Sequence, residues 1–350
     1  MFKFATSKAV LLLIFSAVLS IAACKKDAPY EVVKPSVNIQ NANGVYITNE
    51  GNFQFGNAKI SYYDAAAAQV NEDIYQPANN IGLGDVCQSM TFFNNKAYIV
   101  VNNSGKIVVV NPTNFTATAT INGFVSPRYL LPISNNKAYI SDLYANKISV
   151  VNLSNNTISG TIPCTGWTEE MSLIYGKAYI TNQKKDKLYV INTANDILED
   201  SITVNYGANS IKQDKNGKLW VLSAGNTANN LKGALNCINP SNNQVEKTFL
   251  FANNDAPSRL CINSTNDTLY YLNNGVFRLP ITATALPATA FVPQGNRNFY
   301  GIGVQPNSNN IYVADAIDYV QRGKIYVYNP DGTPKTNFLA GIIPNNFYFK

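Results

Sequence analysis

Hydrophobic and polar positions alternate in a short pattern that recurs along the chain. Each copy begins at a turn and continues with a lysine or polar residue, or a glycine in the first copy. An apolar residue, an aromatic residue and a second apolar residue follow. This alternation predicts a β-strand. The copies follow one another at intervals of 40 to 52 residues, a period typical of propeller blades. Their aromatic residues are Tyr46, Tyr98, Tyr139, Tyr179, Trp220, Tyr270 and Tyr312.

Further apolar runs accompany the motif. A run ending in Asn or Asp follows it, as at 107–111, and a third run follows a polar turn, as at 116–121. Another run precedes the motif, as at 129–133. Short β-branched and aromatic runs joined by Asn-Gly or Asn-Asn turns leave no room for helices. We therefore predict an all-β fold, a seven-bladed β-propeller with four antiparallel strands in each blade.

The two ends of the chain predict how the ring closes. The connector into the first strand of a blade, for example residues 123–129, has a counterpart in the last ten residues. The copy around Tyr46 is preceded only by the short segment 36–40. We therefore expect the last four residues, from Phe347 to Lys350, to form the innermost strand of the first blade. Such closure removes exposed strand edges.

The N-terminal residues predict export and a lipid anchor. Lys3 and Lys8 precede an apolar run that is too short to span a bilayer comfortably, and Ile-Ala-Ala stands directly before Cys24. This order is typical of a lipoprotein signal peptide, whereas an ordinary secretory signal is the alternative. We predict a lipoprotein signal peptide at 1–23, a lipidated N-terminus and tether at 24–41, and the propeller at 42–350.

The residues directly behind Cys24 bear on the location of the protein. Lys25, Lys26 and Asp27 form a short charged tag. This tag resembles the export signal that sends lipoproteins of the phylum Bacteroidota to the cell surface. The resemblance implies an outer-membrane protein that is lipid-anchored and exposed on the cell surface, with the membrane contacted through the lipid alone.

Charge and cysteine usage narrow the classes of partner. The formal net charge is +6, only 14% of residues are charged, and the lysines are scattered. Nucleic acid is therefore disfavoured as a partner, because phosphate binding needs a concentrated cationic face. The spacing of the four remaining cysteines matches no metal motif, so a disulfide or buried free thiols are the two alternatives. These cysteines are Cys87, Cys164, Cys237 and Cys261.

Long connections are expected on one rim of the ring. If the aromatic motif is the second strand of each blade, its far end and the links between blades share a rim, which then carries 49–58, 76–86, 223–234, 253–258 and 314–323. The turns on the opposite rim look short and uniform, so we expect the elaborated rim to bind a ligand. The candidate ligand-binding residues on it are Asn49, Glu50, Phe53, Asp85, Gln88, Arg128, Tyr129, Trp167, Glu170, Arg259, Tyr300, Asp315, Asp318 and Tyr319.

Catalytic chemistry finds little support in the sequence. The chain contains no histidine, which excludes a Ser-His-Asp triad. Glu169 and Glu170 are neighbours, so on a regular strand they would face opposite ways and make a poor acid–base pair. One enzymatic alternative is a lactonase that depends on a divalent metal. Its oxygen ligands would be Glu50, Asn182, Asn273 and Asp315.

Several of these segments resemble one family. Asn-Glu-Gly-Asn-Phe at 49–53, Ser-Pro-Arg-Tyr at 126–129 and Val-Ala-Asp-Ala-Ile-Asp-Tyr at 313–319 are similar to motifs of the YncE-like seven-bladed propeller lipoproteins of Bacteroidota. That family includes a surface protein that captures cobalamin and passes it to an outer-membrane transporter. The resemblance implies capture of a ligand at the cell surface, with cobalamin or another corrinoid as the ligand.

Three hypotheses of function follow. The first is capture of a corrinoid or similar small molecule for an outer-membrane transporter. The second is a surface module that binds a glycan or a protein, because aromatic surface with a few polar groups suits either ligand. The third is the metal-dependent lactonase. We expect no enzyme activity, and no resident metal or cofactor, under the first two hypotheses.

Overall fold

The computed structural model describes residue 39 and residues 44–349, and in that part of the chain it contains seven four-stranded antiparallel sheets arranged as a propeller. The predicted all-β propeller is therefore confirmed. The predicted signal peptide, Cys24, the tether and Lys350 lie outside the described residues.

The first four blades, each written from its inner to its outer strand, have the following bounds. Blade 1 contains β28 (Pro344–Phe349), β1 (Gly44–Asn49), β2 (Lys59–Asp64) and β3 (Gln69–Asn71). Blade 2 contains β4 (Cys87–Phe93), β5 (Lys96–Val101), β6 (Lys106–Val110) and β7 (Ala117–Asn122). Blade 3 contains β8 (Pro127–Ser134), β9 (Lys137–Asp142), β10 (Lys147–Asn152) and β11 (Thr157–Pro163). Blade 4 contains β12 (Thr168–Ile174), β13 (Lys177–Asn182), β14 (Lys187–Asn192) and β15 (Ile197–Thr203).

The remaining blades follow the same order. Blade 5 contains β16 (Ala208–Gln213), β17 (Leu219–Ser223), β18 (Ala234–Asn239) and β19 (Gln244–Leu250). Blade 6 contains β20 (Ser258–Ile262), β21 (Thr268–Leu272), β22 (Gly275–Pro280) and β23 (Val292–Pro293). Blade 7 contains β24 (Phe299–Val304), β25 (Ile311–Asp315), β26 (Arg322–Tyr328) and β27 (Pro334–Ile342).

The hydrophobic core is divided among the spaces between blades. Seven clusters of buried side chains lie in the described part of the chain, and each joins residues of two neighbouring blades. This division follows from strand geometry, because successive side chains point to opposite faces of a sheet and both faces of a blade are covered. Each blade is therefore stabilised by the blades on both sides of it.

The aromatic residue of the repeated motif ties one blade to the next. Tyr179 in blade 4 is fully buried, and its hydroxyl donates to the carbonyl of Pro240 at 3.1 Å and to Asn243 Oδ1 at 2.9 Å, in the outer turn of blade 5. The hydroxyl of Tyr139 in blade 3 donates likewise to Asp196 in blade 4. A buried phenol needs such a partner, so the motif supplies both apolar area and an inter-blade hydrogen bond.

The C-terminal strand closes blade 1, as predicted, and begins earlier than expected, at Pro344. Strand β28 pairs antiparallel with β1, so that Ile47 lies opposite Phe347 and Val45 opposite Phe349. It also contacts the inner strands on both sides, β24 and β4. The amide of Met90 in β4 donates to the hydroxyl of Tyr348 at 2.8 Å.

Two glycines in blade 7 make room for this closing strand. A Cβ added at Gly301 would lie 1.8 Å from the carbonyl oxygen of Asn345, and one added at Gly303 would lie 2.9 Å from Cβ of Phe347. Neither glycine has a positive φ, so the requirement is close packing rather than backbone conformation. Blade 7 and the last strand of the chain therefore fit only without side chains at these positions.

Two predictions about local structure are wrong. The first is that the chain leaves no room for helices, because two short helices form in rim connections. A single-turn helix, α1 (Tyr75–Asn79), buries Tyr75, and a 3-10 helix, Thr227–Asn229, is capped by the side chain of Asn226. The second is that the turns on the opposite rim are uniformly short, because the long connection 281–291 joins β22 to a fourth strand of only two residues.

No helix in the described chain has the length and apolar character required to cross a bilayer.

The four described cysteines are free thiols. Cys87, Cys164 and Cys237 are buried, and Cys261 is partly buried on an inner strand. Burial raises the pKa of each thiol above its ordinary value, which suppresses the thiolate. Of the two alternatives left open by the sequence, the structure has the buried thiols.

The Gly301→Ala substitution tests the closure. We expect it to lower the free energy of unfolding by at least about 1–3 kcal/mol, because the added methyl group meets a backbone carbonyl that can move only with strand β28. Gly82→Ala is the matched control, since a Cβ there has no neighbour closer than 3.8 Å. Denaturant unfolding of both variants measures the difference. Equal stability of the two variants would contradict the proposed fit of the closing strand.

Candidate functional site

Each of the seven innermost strands contains one extra residue close to the elaborated rim. In blade 4, Thr168 lies opposite Asn182 and Met171 opposite Ile180, so Glu169 and Glu170 together face only Thr181. The same shift of register occurs in every other blade. Such a β-bulge interrupts the alternation of side chains. The first bulged residues are Gln88, Arg128, Glu169, Asn209, Arg259, Tyr300 and Asn345.

The bulges also connect neighbouring inner strands. The carbonyl of Arg128 accepts from Ser89 Oγ at 2.6 Å, and the carbonyl of Tyr300 accepts from Arg259 Nε at 3.1 Å. The carbonyl of Gln88 accepts from Asn345 Nδ2 at 3.2 Å and from Asn346 Nδ2 at 2.9 Å. Carbonyls that leave the strand ladder thus find partners in the next blade, which fixes the bulged side chains in place.

These bulged residues surround the outer end of the axial channel. Six of them line a cavity of about 430 Å³ together with Glu50, Tyr129, Trp167 and Glu170. The cavity is also lined by Leu143, Gln183 and Ala224, each of which directly follows the second strand of its blade. It therefore opens on the elaborated rim. We call this space the mouth chamber.

A second cavity continues the channel below the mouth chamber. It has a volume of about 370 Å³, and Tyr129, Glu170 and Arg259 line both cavities. Most of its other lining residues are apolar, including Met171, Ile302 and Phe347. We call it the inner chamber. The lining of the channel therefore contains more aliphatic and aromatic residues in the inner chamber than at the mouth.

The bulge in blade 4 overturns the expectation for Glu169 and Glu170. Both side chains line the mouth chamber instead of facing opposite ways. Each has its own cation, since Arg128 Nε lies 2.8 Å from Glu169 Oε1 and Lys212 binds Glu170. With both carboxylates engaged in ion pairs, neither is placed as a free acid or base.

Trp167 contacts both members of the Arg128–Glu169 ion pair at the mouth chamber. Its indole Nε1 donates to Glu169 Oε1. The guanidinium of Arg128 and the ammonium of Lys184 each lie 5.7 Å from the centre of its rings. These are cation–π distances, and Trp167 is only half-buried, so it offers aromatic surface to a ligand.

Glu50 occupies the mouth chamber at the seam between the two ends of the chain. Its carboxylate accepts from the hydroxyl of Tyr300 at 3.0 Å and from Asn345 Nδ2 at 2.8 Å. Burial raises the pKa of this carboxyl above its ordinary value, although Arg259 and Arg128 act in the opposite direction. Glu50 is therefore held by neutral donors at a position where its charge is unfavourable.

Several predicted site residues have structural roles away from the channel. Asn49 is fully buried, donates to the carbonyls of Ile47 and Lys59, and accepts from the amide of Gly341 at 2.9 Å. Asp315 accepts from two backbone amides that shape the next turn. The expectation that these two side chains face the channel is wrong, because backbone groups occupy their polar atoms.

The remaining predicted residues lie on the rim around the mouth. Asp85 accepts from the amide of Gln54, and Asp318 caps the turn at 318–321. Phe53 is 62% exposed and Tyr319 44% exposed, and the Tyr319 ring packs edge-on against Tyr300 at 5.7 Å. The mouth chamber itself brings together eight of the predicted residues: Glu50, Gln88, Arg128, Tyr129, Trp167, Glu170, Arg259 and Tyr300.

The proposed lactonase ligands are not brought together. Asn273 lines a different cavity, of about 460 Å³, beside the connection 281–291 of blade 6. Asn182 donates to the carbonyl of Thr165 and accepts from the amide of Lys184, which makes it a turn former. In the described part of the chain, no group of three or more acidic, cysteine or histidine side chains could hold a metal ion.

The candidates drawn from the sequence missed several residues of the channel and its wall, among them Asn209, Lys212 and Asn345. A signal for the bulged ring did exist, because in blades 2 to 7 the first bulged residue stands 10 to 12 residues before the aromatic of the motif. Asn345 could be found only through the closing strand, since the aromatic of its blade is Tyr46.

Comparison with known proteins adds a family and the fold. Residues 43–349 match the model of a family described as Domain of unknown function (DUF5074). No curated protein matches the sequence significantly.

Solved structures resemble the chain at low sequence identity. A quinoprotein alcohol dehydrogenase-like protein of Bacteroides thetaiotaomicron is 14% identical with a TM-score of 0.69, over 88% of this chain and 78% of that one. The periplasmic gluconolactonase of Pseudomonas aeruginosa is 11% identical with a TM-score of 0.65, over 87% and 98%. A protein from Lactobacillus plantarum is 12% identical with a TM-score of 0.66, over 88% and 99%. At these identities the likeness establishes the fold alone.

The Glu50→Gln substitution tests the electrostatics of the mouth chamber. Because the pKa of Glu50 is raised in the folded protein, its contribution to stability is lost as pH rises through that pKa. We expect the glutamine variant to melt a few degrees higher than the wild type at pH 7. The difference should shrink as pH falls toward the ordinary glutamate value of 4.5, where Glu50 is also neutral.

Glu246→Gln is the control of opposite sign. Glu246 is bound by Lys218 at 2.6 Å and its pKa is lowered, so its glutamine variant should not gain stability at pH 7. Thermal melts of both variants between pH 4 and pH 8, about the range where carboxyl linkage acts, provide the measurement. Destabilisation by Glu50→Gln at pH 7 would contradict the account of Glu50.

Proposed function

The chain belongs to the family described as Domain of unknown function (DUF5074), and we propose that it is a ligand-binding propeller that captures a small amphipathic molecule in its mouth chamber. The single observation behind this proposal is the bulged ring, which places polar, charged and aromatic side chains around one cavity. Small-molecule sites combine apolar walls with a few placed polar groups in cavities of roughly 300–1000 Å³.

The arrangement of the charges favours binding over catalysis. Glu169 and Glu170 are held in ion pairs with Arg128 and Lys212, and Glu50 accepts hydrogen bonds from neutral donors. A general acid or base needs a free group near the reacting atom, with a pKa suited to proton transfer. Groups that are fixed by partners instead serve to orient a ligand whose polar edges meet them.

The two chambers match a molecule with two kinds of surface. Gln88, Asn209 and Tyr300 offer amide and hydroxyl groups at the mouth, and the half-buried Trp167 offers a ring face. The inner chamber, with Met171, Ile302 and Phe347 in its wall, accommodates a less polar group that enters the channel. A ligand held this way keeps its remaining part at the rim, where exposed loops surround it.

A corrinoid is the specific ligand that we propose. The resemblance to the cobalamin-capturing lipoproteins motivates this choice, together with the fit between amide-rimmed corrin edges and the amide and hydroxyl groups of the mouth chamber. No histidine is needed, since the macrocycle can be held by its amide groups without a protein ligand to cobalt. On this proposal the protein is anchored at Cys24 to the outer membrane, faces the cell exterior and delivers its ligand to a transporter.

Binding of a glycan or a protein is a second candidate function. Phe53 and Phe55 are 62% and 77% exposed on one rim loop, and Asn52 of the same loop donates to the carbonyl of Tyr319 at 2.8 Å. Exposed aromatic rings beside a cleft favour sugar rings or an apolar protein surface. This candidate uses the rim loops instead of the channel.

The two tryptophans allow a sharp test of the corrinoid proposal. Trp167 lies in the mouth chamber, whereas Trp220 is buried in the core between blades 5 and 6. In a Trp220→Phe variant we expect micromolar cyanocobalamin or cobinamide to quench the remaining tryptophan fluorescence in a saturable manner. In the matched Trp167→Phe variant the corrinoid should cause only the loss that its own absorbance produces.

Calorimetry on the wild type completes this test. We expect heat of binding with a stoichiometry of one corrinoid per chain. Identical fluorescence loss in the two tryptophan variants, together with no heat at micromolar protein, would exclude a corrinoid in the mouth chamber. Retained binding of polysaccharide by such a protein would then favour the second candidate.

A further inference from the structure

The charged side chains of the channel are not all paired. Arg128 is bound to Glu169, and Lys212 is bound to Glu170. Glu50 takes its hydrogen bonds from Tyr300 and Asn345. Arg259 is the remaining cation among the described residues that line the two chambers. No carboxylate oxygen of a described residue lies within 4.0 Å of its guanidinium nitrogens, although the charges of Glu50 and Glu169 act on it from a greater distance.

The contacts of Arg259 leave the outer part of its side chain available. Its Nε donates to the carbonyl of Tyr300 at 3.1 Å, and the guanidinium lies 5.1 Å from the centre of the Tyr300 ring. Neither Nη atom donates a hydrogen bond to any described residue. A guanidinium binds an oxyanion through parallel hydrogen bonds from such a fork, so the part of Arg259 that recognises anions is unoccupied by the protein.

Tyr129, on β8 of blade 3, lines both chambers, as Arg259 of blade 6 does. Its hydroxyl accepts from Gln88 Nε2 at 3.5 Å and finds no acceptor for its own proton among the described side chains. Burial raises the pKa of Tyr129, so this hydroxyl keeps its proton. A second donor to an anion is therefore present at the junction that Arg259 lines.

The backbone of Arg259 distinguishes it from the rest of the bulged ring. Its φ is 61°, in the left-handed region, whereas the other six first bulged residues have ordinary φ values. A non-glycine residue is strained in this region, and such strain persists where the surrounding structure holds it. Three features thus coincide at one residue: a guanidinium without a close ion pair, a position on both chambers and a strained backbone.

We propose that Arg259, assisted by Tyr129, binds an anionic group of the ligand, a carboxylate or a phosphate, at the junction of the mouth and inner chambers. This inference rests on the proposed function and narrows it to ligands that carry a negative charge.

The test compares Arg259→Asn with Lys335→Asn. Asparagine tolerates the left-handed backbone conformation, so the first variant should fold, and the second removes one exposed charge far along the chain on outer strand β27. Thermal melts of the full protein are recorded with inorganic phosphate or succinate, each against potassium chloride at equal ionic strength. Arg259→Lys keeps the charge without the fork and serves as an intermediate.

We expect phosphate, succinate or both to raise the melting temperature of the wild type and of Lys335→Asn in a saturable manner. Arg259→Asn should bind the effective anion at least tenfold more weakly, and Arg259→Lys should lie between them. The anion with the larger effect indicates whether the group is a phosphate or a carboxylate. Equal responses of the wild type and Arg259→Asn, or no saturable response of the wild type to either anion, would overturn the proposal.

Binding of cyanocobalamin, a corrinoid whose nucleotide loop carries a phosphodiester, is measured separately on the same variants. Anion stabilisation that depends on Arg259 in a protein that binds no corrinoid would refute the corrinoid and leave the anion site standing. Corrinoid binding of unchanged affinity in Arg259→Asn would refute the anion site and leave the corrinoid proposal standing. The two failures are therefore distinguishable.

Discussion

One extra residue in every innermost strand is the constraint on which the site depends. A regular strand would direct alternate side chains into the spaces between blades, where the cores lie. The bulge instead turns residues such as Arg128, Glu169 and Arg259 into the channel and frees carbonyls for bonds to the next blade. The same local defect therefore builds the chemistry of the mouth chamber and helps to fix the ring of inner strands.

Strand β28, which closes the ring, also holds residues of the mouth chamber in place. Asn345, in the bulge of β28, donates both to Glu50 at the end of β1 and to the carbonyl of Gln88 in β4. Gly301 lies against the carbonyl of Asn345. A change in the fit of β28 must consequently move groups that line the mouth chamber. The seam that makes the molecule a closed propeller is thus also part of the wall of the mouth chamber.

Much of the fold could be predicted from the sequence because its signals are local and repeated. The aromatic motif, for example around Tyr139 and Tyr179, recurs in every blade. It therefore predicts both the strands and the length of the repeat. The bulges were missed, because Glu169 and Glu170 look like neighbours on a regular strand and the spacing of bulged residue and aromatic is recognisable only once one bulge is known. Asn49 and Asp315 were predicted to face the channel, but their side chains bind backbone groups. A polar residue at the end of a strand looks the same in the sequence whether it binds a ligand or caps a turn. The long connection 281–291 breaks the repeat in blade 6, so no other blade could forecast it.

The central claim is that the bulged ring forms the ligand site, and a crystallographic screen of small polar and aromatic fragments tests it whatever the natural ligand is. We expect fragments to accumulate in the mouth chamber, with anionic ones on Arg259 and flat aromatic ones on Trp167. Fragments that leave this chamber empty and gather in the cavity beside residues 281–291, which Asn273 and Leu286 line, would contradict it.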